Sequence, residues 1–211
     1  MSKSSKAWMQ EHVNDAWVKQ AHAQGFRSRA AFKLKEIDER DHLLRPGMVV
    51  VDLGSAPGSW TQVIAAKVGP AGIVLALDIL EMDPVAGATF LQGDFRDDDV
   101  LHALETALGD REVDLVVSDM APNISGIASA DQARSLHLCE LALEFACKHL
   151  KKSGNFLVKT FQGAGYAEFH KAMQASFKSV VSRKPQASRG RSSEMYLSLI
   201  HISEPTRPER I

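Results

Sequence analysis

Apolar positions recur with two different periods along the chain, and this pattern predicts the order of its strands and helices. Short apolar runs predict seven strands, at residues 49–53, 72–78, 88–94, 112–119, 155–161, 178–184 and 194–200. Helical spacing predicts helices between them, at residues 61–68, 97–108, 128–150 and 167–177. Such alternation is typical of the α/β class, with a mostly parallel seven-stranded sheet and helices on both faces. Because only a polar loop separates the last two strands, we expect one of them to be antiparallel.

Two further helices are predicted ahead of the sheet. Residues 7–24 have an amphipathic pattern, and residues 27–44 form a second helical pattern that Ser28 would cap. No linker or change of composition separates these helices from the strands that follow. We therefore expect residues 1–202 to form one domain, with the helices at about 7–45 packed on it.

The stretch "VVVDLGSAPGSW", residues 49–60, places a glycine loop between a buried strand and a helix. Gly54 and Gly58 allow a sharp turn and a close approach of the backbone to a ligand. Their spacing, G-x-x-x-G, differs from the dinucleotide fingerprint G-x-G-x-x-G, and Pro57 removes an amide donor. The loop therefore favours an uncharged or zwitterionic ligand over a pyrophosphate. A tight turn that binds nothing is the alternative.

Three carboxylates stand at the ends of successive predicted strands. Asp78 occupies the position that holds a ribose in this architecture. Asp94 precedes Phe95, a pair that suits the amine and the ring face of an adenine, and Asp119 ends the fourth strand. Each acid alone could be a helix cap, but together with the glycine loop they predict one ligand crevice. Three acids without a phosphate-binding lysine favour a cationic cofactor without phosphate, which describes S-adenosylmethionine.

Charge is unevenly distributed along a chain whose formal net charge is −1. The net charge is +5 for residues 1–35 and +9 for residues 148–191, whereas residues 36–147 carry −14. Two basic segments beside a nucleotide-binding architecture favour nucleic acid as a partner. Ordinary solvated helix faces are the alternative explanation.

The remaining composition excludes several classes of protein. Cys139 and Cys147 lie on one predicted helix, which is typical of core residues in a reducing compartment. The eight histidines lack ligand spacing, so we predict no metal site. No apolar run approaches the ~18–20 residues that span a bilayer, and the start of the chain has no signal-peptide core. We expect a cytoplasmic protein that does not bind membranes.

Seven motifs in this order make the chain resemble the FtsJ/RrmJ family of ribosomal RNA 2′-O-ribose methyltransferases. They are "RSRAAFKLKEID", "VVDLGSAPGSW", "LDILEMDP", "FLQGDFRD", "VVSDMAPNISG", "FLVKTFQG" and "RKPQASRGRSSEMY". The resemblance implies a Rossmann-like S-adenosylmethionine-dependent methyltransferase fold. It also implies methylation of a uridine ribose in the A-loop of large-subunit ribosomal RNA, within the assembled 50S subunit. We expect the protein to be a monomer.

The resemblance also assigns site residues. A Lys-Asp-Lys-Glu tetrad falls on Lys33, Asp119, Lys159 and Glu194. The cofactor-binding residues would be Gly58, Trp60, Asp78, Asp94 and Asp119, with Asp52, Gly54, Pro57, Phe95 and Met120 close to the cofactor. Apart from the resemblance, we predict that five basic residues around the crevice form one RNA-facing surface: Arg27, Arg29, Lys184, Arg189 and Arg191.

The chemistry of methyl transfer to a ribose hydroxyl explains why these residue types suit the tetrad. Lys159 would act as a base or orient the hydroxyl, and Asp119 would hold Lys159 and the hydroxyl in line. Lys33 and Glu194 would position the substrate and tune the charge of the cluster. Methyltransferases that act on base amines use an Asn/Asp-Pro-Pro-aromatic turn, whereas this chain has Met120-Ala121-Pro122, which favours an oxygen acceptor.

Other readings of the sequence remain open at this point. They are a 2′-O-methyltransferase for another RNA, a methyltransferase for a small molecule or a protein, a non-catalytic RNA-binding module and a nicotinamide dehydrogenase. The resemblance ends near Leu197, after which "SLIHISEPTRPERI" replaces the family pattern. We expect residues 203–211 to be a non-native or disordered tail.

Overall fold

The computed structural model describes residues 15–188 and 192–202. Its helices are α1 (Ala16–Ala23), α2 (Ala30–Asp41), α3 (Ser59–Val68), α4 (Asp98–Leu108), α5 (Ala128–His149) and α6 (Tyr166–Ser176). Its strands are β1 (Val49–Leu53), β2 (Ile73–Asp78), β3 (Thr89–Gln92), β4 (Val113–Ser118), β5 (Leu150–Phe161), β6 (Phe177–Arg183) and β7 (Glu194–Ile202). These elements form an α/β structure, as predicted.

One seven-stranded sheet runs in the order β3-β2-β1-β4-β5-β7-β6. Strands β1 to β5 pair in parallel, and β7 lies antiparallel between β5 and β6. The prediction of a mostly parallel sheet with one antiparallel strand near its end is confirmed. In the described part of the chain, no helix is both long enough and apolar enough to cross a membrane.

Alternate residues of the central strands pack into two hydrophobic layers, one on each face of the sheet, because successive side chains of a strand point to opposite faces. Val51 and Val116 pack in the larger layer, with residues of α4, α5 and α6. Val50, Leu115 and Leu157 pack in the other layer, with residues of α2 and α3. The two layers thus pack helices on both faces of the sheet.

The junction of α5 and β5 differs from the sequence pattern. The segment Lys151 to Gly154 was expected to separate α5 from β5, but α5 ends at His149 and β5 begins at Leu150. A shift of register between Val113 and Leu115 accommodates this longer strand against β4. Polar residues can lie in a strand when their side chains face solvent, and the sequence pattern did not reveal this.

The helices ahead of the sheet are partly described. α1 begins after Asp15, whose carboxylate accepts the amide of Trp17 at 2.9 Å, and the predicted residues 7–14 of this helix lie outside the described residues. α2 begins at Ala30, and the hydroxyl of Ser28 accepts the amide of Ala30 at 3.2 Å. Ser28 thus accepts a hydrogen bond from the first turn of the helix, although the N-cap position is that of Arg29.

Strand direction determines which residues meet at one edge of the sheet. β1, β2, β4 and β5 all end there, since they are parallel. β7 runs the other way, so its first residue, Glu194, lies opposite Phe161 at the end of β5, and Tyr196 lies opposite Lys159. Residues from the end of β5 and the start of β7 therefore converge on the edge where the glycine loop follows β1.

Candidate active site

The four residues of the predicted tetrad come together as two ion pairs. Lys33 Nζ lies 2.7 Å from Glu194 Oε1, and Lys159 Nζ lies 3.0 Å from Asp119 Oδ1. Lys159 Nζ also donates to the backbone carbonyl of Asp119. One helix, two strands and the loop after β4 thus place four charged groups at one point.

Tyr196 joins the two ion pairs, and sequence reasoning gave it no role. Lys33 Nζ donates to the Tyr196 hydroxyl at 3.2 Å, and the same hydroxyl donates to Asp119 Oδ1 at 3.0 Å. The sequence pattern could have indicated this role, because Glu194 and Tyr196 are two positions apart on a strand and their side chains therefore point to the same face. The five side chains form one continuous chain of hydrogen bonds and ion pairs.

Burial makes this network electrostatically strong. The exposed fractions of the side chains are 9% for Lys33, 14% for Glu194, 8% for Lys159 and 19% for Asp119. Burial alone would raise the pKa of Glu194, but the Lys33 charge, with hydrogen bonds from Lys33 and Ser188, lowers it below its usual value. Burial, followed by the charges of Asp119 and Glu194, raises the pKa of Tyr196 well above its usual value. Glu194 is therefore ionised and Tyr196 protonated at neutral pH.

The glycine loop is built so tightly that both its glycines are required. Gly54 has φ +78°, and a Cβ there would lie 2.7 Å from Met120 Cγ. Gly58 has φ +103°, and its Cβ would lie 2.5 Å from Arg27 Nη1. Asp78 fastens the loop, since its Oδ2 accepts the amide of Ala56 at 2.9 Å. Another residue at either glycine would be strained and would collide with its neighbours.

In the described part of the chain, two buried polar atoms, one just before the glycine loop and one within it, have no hydrogen-bond partner. Asp52 is fully buried, and its Oδ2 accepts the Thr61 hydroxyl at 2.7 Å whereas Oδ1 has no partner. The Ser55 hydroxyl is buried and also lacks a partner. Burial, with smaller contributions from the Asp119 and Asp78 charges, raises the pKa of Asp52 to about 7, against the lowering effect of Thr61.

These features fit S-adenosylmethionine. A cationic ligand without phosphate needs carboxylates, and Asp52, whose Oδ1 has no partner, and Asp78, which holds the glycine loop, supply them. The loop contains no lysine or arginine that would hold a phosphate. Among the residues that the structure describes, no cluster of three metal-ligating side chains is found.

Three of the residues expected near the cofactor have other partners in this structure. Asp94 pairs with the exposed Arg96, whose hydrogen bond lowers the pKa of this carboxyl. The ring of Phe95 is buried against Phe145, with ring centroids 5.7 Å apart. The Trp60 indole is buried too, and its Nε1 donates to the carbonyl of Ala30 at 2.8 Å. Phe95 and Trp60 thus pack in the hydrophobic core.

The cations expected to face RNA also contact the protein itself. Arg29 pairs with Asp15 at 2.8 Å, and Lys184 Nζ donates to the backbone carbonyls of Ser192 and Glu194, each at 2.6 Å. Arg27 binds backbone carbonyls of two loops. Arg189 and Arg191 lie outside the described residues.

Comparison with known proteins identifies the family. The family model described as FtsJ-like methyltransferase matches residues 26–201. A protein of Azoarcus sp. named "Ribosomal RNA large subunit methyltransferase E" is 65% identical over 196 residues, which cover 93% of this chain and 96% of that protein. A protein of the same name from Nitrosospira multiformis is 62% identical, with 93% and 95% covered.

A solved structure supports the same assignment. The crystal structure of a candidate ribosomal RNA methyltransferase from Plasmodium falciparum superposes with a TM-score of 0.74 at 28% identity, covering 84% of this chain and 98% of that one. The family confirms the predicted enzyme class and S-adenosylmethionine as the methyl donor. With residues 26–201 matched, from the segment before α2 almost to the end of β7, this chain belongs to the FtsJ-like methyltransferase family.

Proposed function

We propose that this protein transfers a methyl group from S-adenosylmethionine to the 2′-hydroxyl of a ribose in large-subunit ribosomal RNA. The observation that carries the proposal is the buried chain Glu194–Lys33–Tyr196–Asp119–Lys159, which stands at the sheet edge beside the glycine loop. The names of the relatives from Azoarcus and Nitrosospira support ribosomal RNA as the substrate.

The bound cofactor supplies a methyl group activated by a positively charged sulfur. The protein must then orient the ribose hydroxyl and remove its proton as the oxygen–carbon bond forms and the sulfur–carbon bond breaks. Lys159 Nζ is the group that we assign to the hydroxyl, either as proton acceptor or as hydrogen-bond partner. Asp119, which contacts Lys159 Nζ through its carboxylate and its carbonyl, fixes where that nitrogen lies.

Lys33 and Glu194 have a supporting role in this proposal. The ionised Glu194 holds Lys33 at 2.7 Å, and Lys33 holds the hydroxyl of Tyr196. Tyr196 in turn donates to Asp119, so the Lys33–Glu194 pair fixes the orientation of the Asp119–Lys159 pair. Holding groups in reactive geometry supplies a large part of enzymatic rate enhancement.

Asp78 and Asp52 serve the cofactor rather than the hydroxyl. Asp78 holds the glycine loop through Ala56 and has its second oxygen on the amide of Leu80. Asp52 has an unpartnered oxygen just before the loop. The negative charge of Asp78, and that of Asp52 when it is ionised, offset the positive charge of the donor at the edge of the sheet.

The finer parts of the proposal follow from the family resemblance. We infer that the target is a uridine in the A-loop, that the assembled 50S subunit is the substrate, and that the protein acts as a monomer. The turn Met120-Ala121-Pro122 supports a hydroxyl over a base amine as acceptor, because it lacks the aromatic that stacks a base.

Mapping of ribose methylation in ribosomal RNA tests the function directly. We expect cells without this gene to lack one 2′-O-methyl group in large-subunit RNA, and the wild-type gene to restore it. The Asp119→Asn gene should not restore it. Unchanged ribose methylation, or the loss of a methyl group from a base instead, would contradict the proposal.

A further inference from the structure

Arg27 joins two loops that flank the cofactor side of the sheet edge. Its Nη1 donates to the carbonyl of Pro57 at 2.9 Å and to the carbonyl of Asp83 at 2.7 Å. Its Nη2 donates to the carbonyl of Pro84 at 2.8 Å. Pro57 belongs to the glycine loop, whereas Asp83 and Pro84 belong to the loop that follows β2. One guanidinium therefore fixes the separation of the two loops.

The guanidinium packs directly on the glycine loop. A Cβ at Gly58 would lie 2.5 Å from Arg27 Nη1 and 2.9 Å from Met82 Sδ. The absence of a side chain at Gly58 thus makes room for Arg27. A planar guanidinium can reach three carbonyls at once, whereas a lysine ammonium is a compact point charge on a flexible stem.

The backbone around Arg27 is anchored to the helix that follows the glycine loop. The amide of Arg27 donates to Gln62 Oε1 at 3.0 Å, and Gln62 Nε2 donates to the carbonyl of Gly25 at 3.1 Å. The hydroxyls of Ser28 and Ser59 lie 2.7 Å apart. This segment, residues 25–30, leads directly into α2, which carries Lys33.

We propose that Arg27 is a positioning residue that holds the glycine loop and the loop after β2 in the conformation that binds S-adenosylmethionine. Its guanidinium serves the cofactor site and does not contact RNA phosphate. The same segment, residues 25–30, connects the glycine loop to α2, which carries Lys33. The position of Lys33 and the conformation of the glycine loop therefore depend on the same contacts. The inference rests on the proposed function only in naming RNA as the competing partner of Arg27.

Arg27→Gln and Arg27→Lys test this role against the matched control Arg29→Gln. Arg29 is two residues away, and its guanidinium pairs with Asp15 and not with the carbonyls of the two loops. For each protein, calorimetry measures S-adenosylmethionine affinity, and RNA binding is measured across a range of salt concentrations. Steady-state methylation gives KM for the cofactor and kcat.

Loss of the charge-assisted hydrogen bonds should weaken cofactor affinity by about ten- to a hundredfold in Arg27→Gln. Arg27→Lys should recover part of it, because its ammonium still donates to carbonyls. KM for the cofactor should rise while kcat at saturating cofactor changes little, and Arg29→Gln should leave cofactor affinity unchanged.

Two results would overturn the inference. One is unchanged cofactor affinity in both Arg27 variants. The other is weaker RNA binding in Arg27→Gln with the salt slope reduced by about one, which marks a lost phosphate contact. If Arg27→Gln does not fold, Arg27→Lys carries the test by itself. A wild-type protein that binds the cofactor but leaves ribosomal RNA unmethylated would refute the proposed function without affecting the role of Arg27.

Discussion

Lys33 and Glu194 are separated by 161 positions in the sequence, and their side chains meet at 2.7 Å. Only the fold brings them together, since Lys33 lies on α2 outside the sheet and Glu194 begins the antiparallel strand β7. Ser188 adds a hydrogen bond of 2.8 Å to the same carboxylate oxygen. The contact between the helical segment and the sheet is therefore fixed by charge as well as by packing.

Glu194→Gln should lower stability and make it less dependent on pH. The pKa of Glu194 is lower in the folded state, so its contribution is present above the ordinary pKa of 4.5 and is lost as the pH falls through the folded value. We expect a loss of about 1–3 kcal/mol at pH 7, reduced from fully buried pairs because both side chains retain some exposure. Chemical denaturation of both proteins between pH 3 and 7 checks this, in steps of about one unit. A constant difference between them at all pH values would contradict it.

Tyr196→Phe should separate the two ion pairs without disturbing the core. The ring would still pack on Trp60, whose centroid lies 5.7 Å away, but Lys33 and Asp119 would each lose a hydrogen bond. We expect a modest loss of stability, about 1 kcal/mol, and slower methylation with cofactor affinity unchanged. Single-turnover kinetics and calorimetry separate these effects. Equal rates for Tyr196→Phe and wild type would show that the bridge is dispensable for reaction.

Asp52 should make cofactor binding depend on pH near neutrality. Its pKa of about 7 lies above the ordinary 3.8, so the folded protein holds a proton there below pH 7. A cationic ligand favours the ionised carboxylate, and affinity for S-adenosylmethionine should rise with pH and level off above about 7. Calorimetry in the range from pH 5.5 to 8.5, taken in steps of about half a unit, measures it.

The Asp52→Asn protein is the control for that experiment. Its affinity should be weaker and nearly independent of pH. The sign of the stability effect is opposite to that of Glu194: a raised pKa means that stability falls as the pH rises from about 4 to 7. Asp52→Asn should therefore lose this decline. Identical pH profiles for both proteins would mean that another group titrates.

The sequence predicted much of the site because its residues follow strand ends. In parallel strands the carboxyl ends share an edge, so Asp78, Asp119 and Lys159 could be placed together from the strand pattern and the family motifs. The glycine loop was equally readable, since Gly54 and Gly58 are needed where the backbone has positive φ. The local sequence pattern and the direction of the strands were sufficient to predict where these residues lie.

Other features depend on side-chain packing, which a sequence pattern does not encode. Tyr196 looked like one more strand residue, and its bridging role depends on the register that sets it opposite Lys159. A basic residue in sequence does not reveal which carbonyls surround it, so the contacts of Arg27 with Pro57, Asp83 and Pro84 could not be read from the sequence, and its contact with RNA stays a prediction. The packing of the Phe95 ring against Phe145 was not visible in the sequence either, and the nearness of Phe95 to the cofactor stays a prediction.

Substitution of Lys159 offers the sharpest test of the reaction chemistry. Lys159→Ala should leave the cofactor pocket intact, because the glycine loop is held by Asp78 and Arg27. It should reduce the methylation rate by roughly the 10²–10⁴ that a proton-transfer group contributes. Calorimetry with S-adenosylmethionine is the control that shows an intact pocket.

Lys159→Arg distinguishes a base from a fixed positive charge. Arginine keeps its charge but does not lose its proton, and its planar fork differs in shape from an ammonium. If Lys159 accepts the proton of the ribose hydroxyl, arginine should be nearly as damaging as alanine. If Lys159 only orients the hydroxyl, arginine should recover much of the rate, since it can still pair with Asp119. Single-turnover methylation of ribosomal subunits by the three proteins decides between these outcomes, and near-wild-type turnover by Lys159→Ala would remove Lys159 from the mechanism.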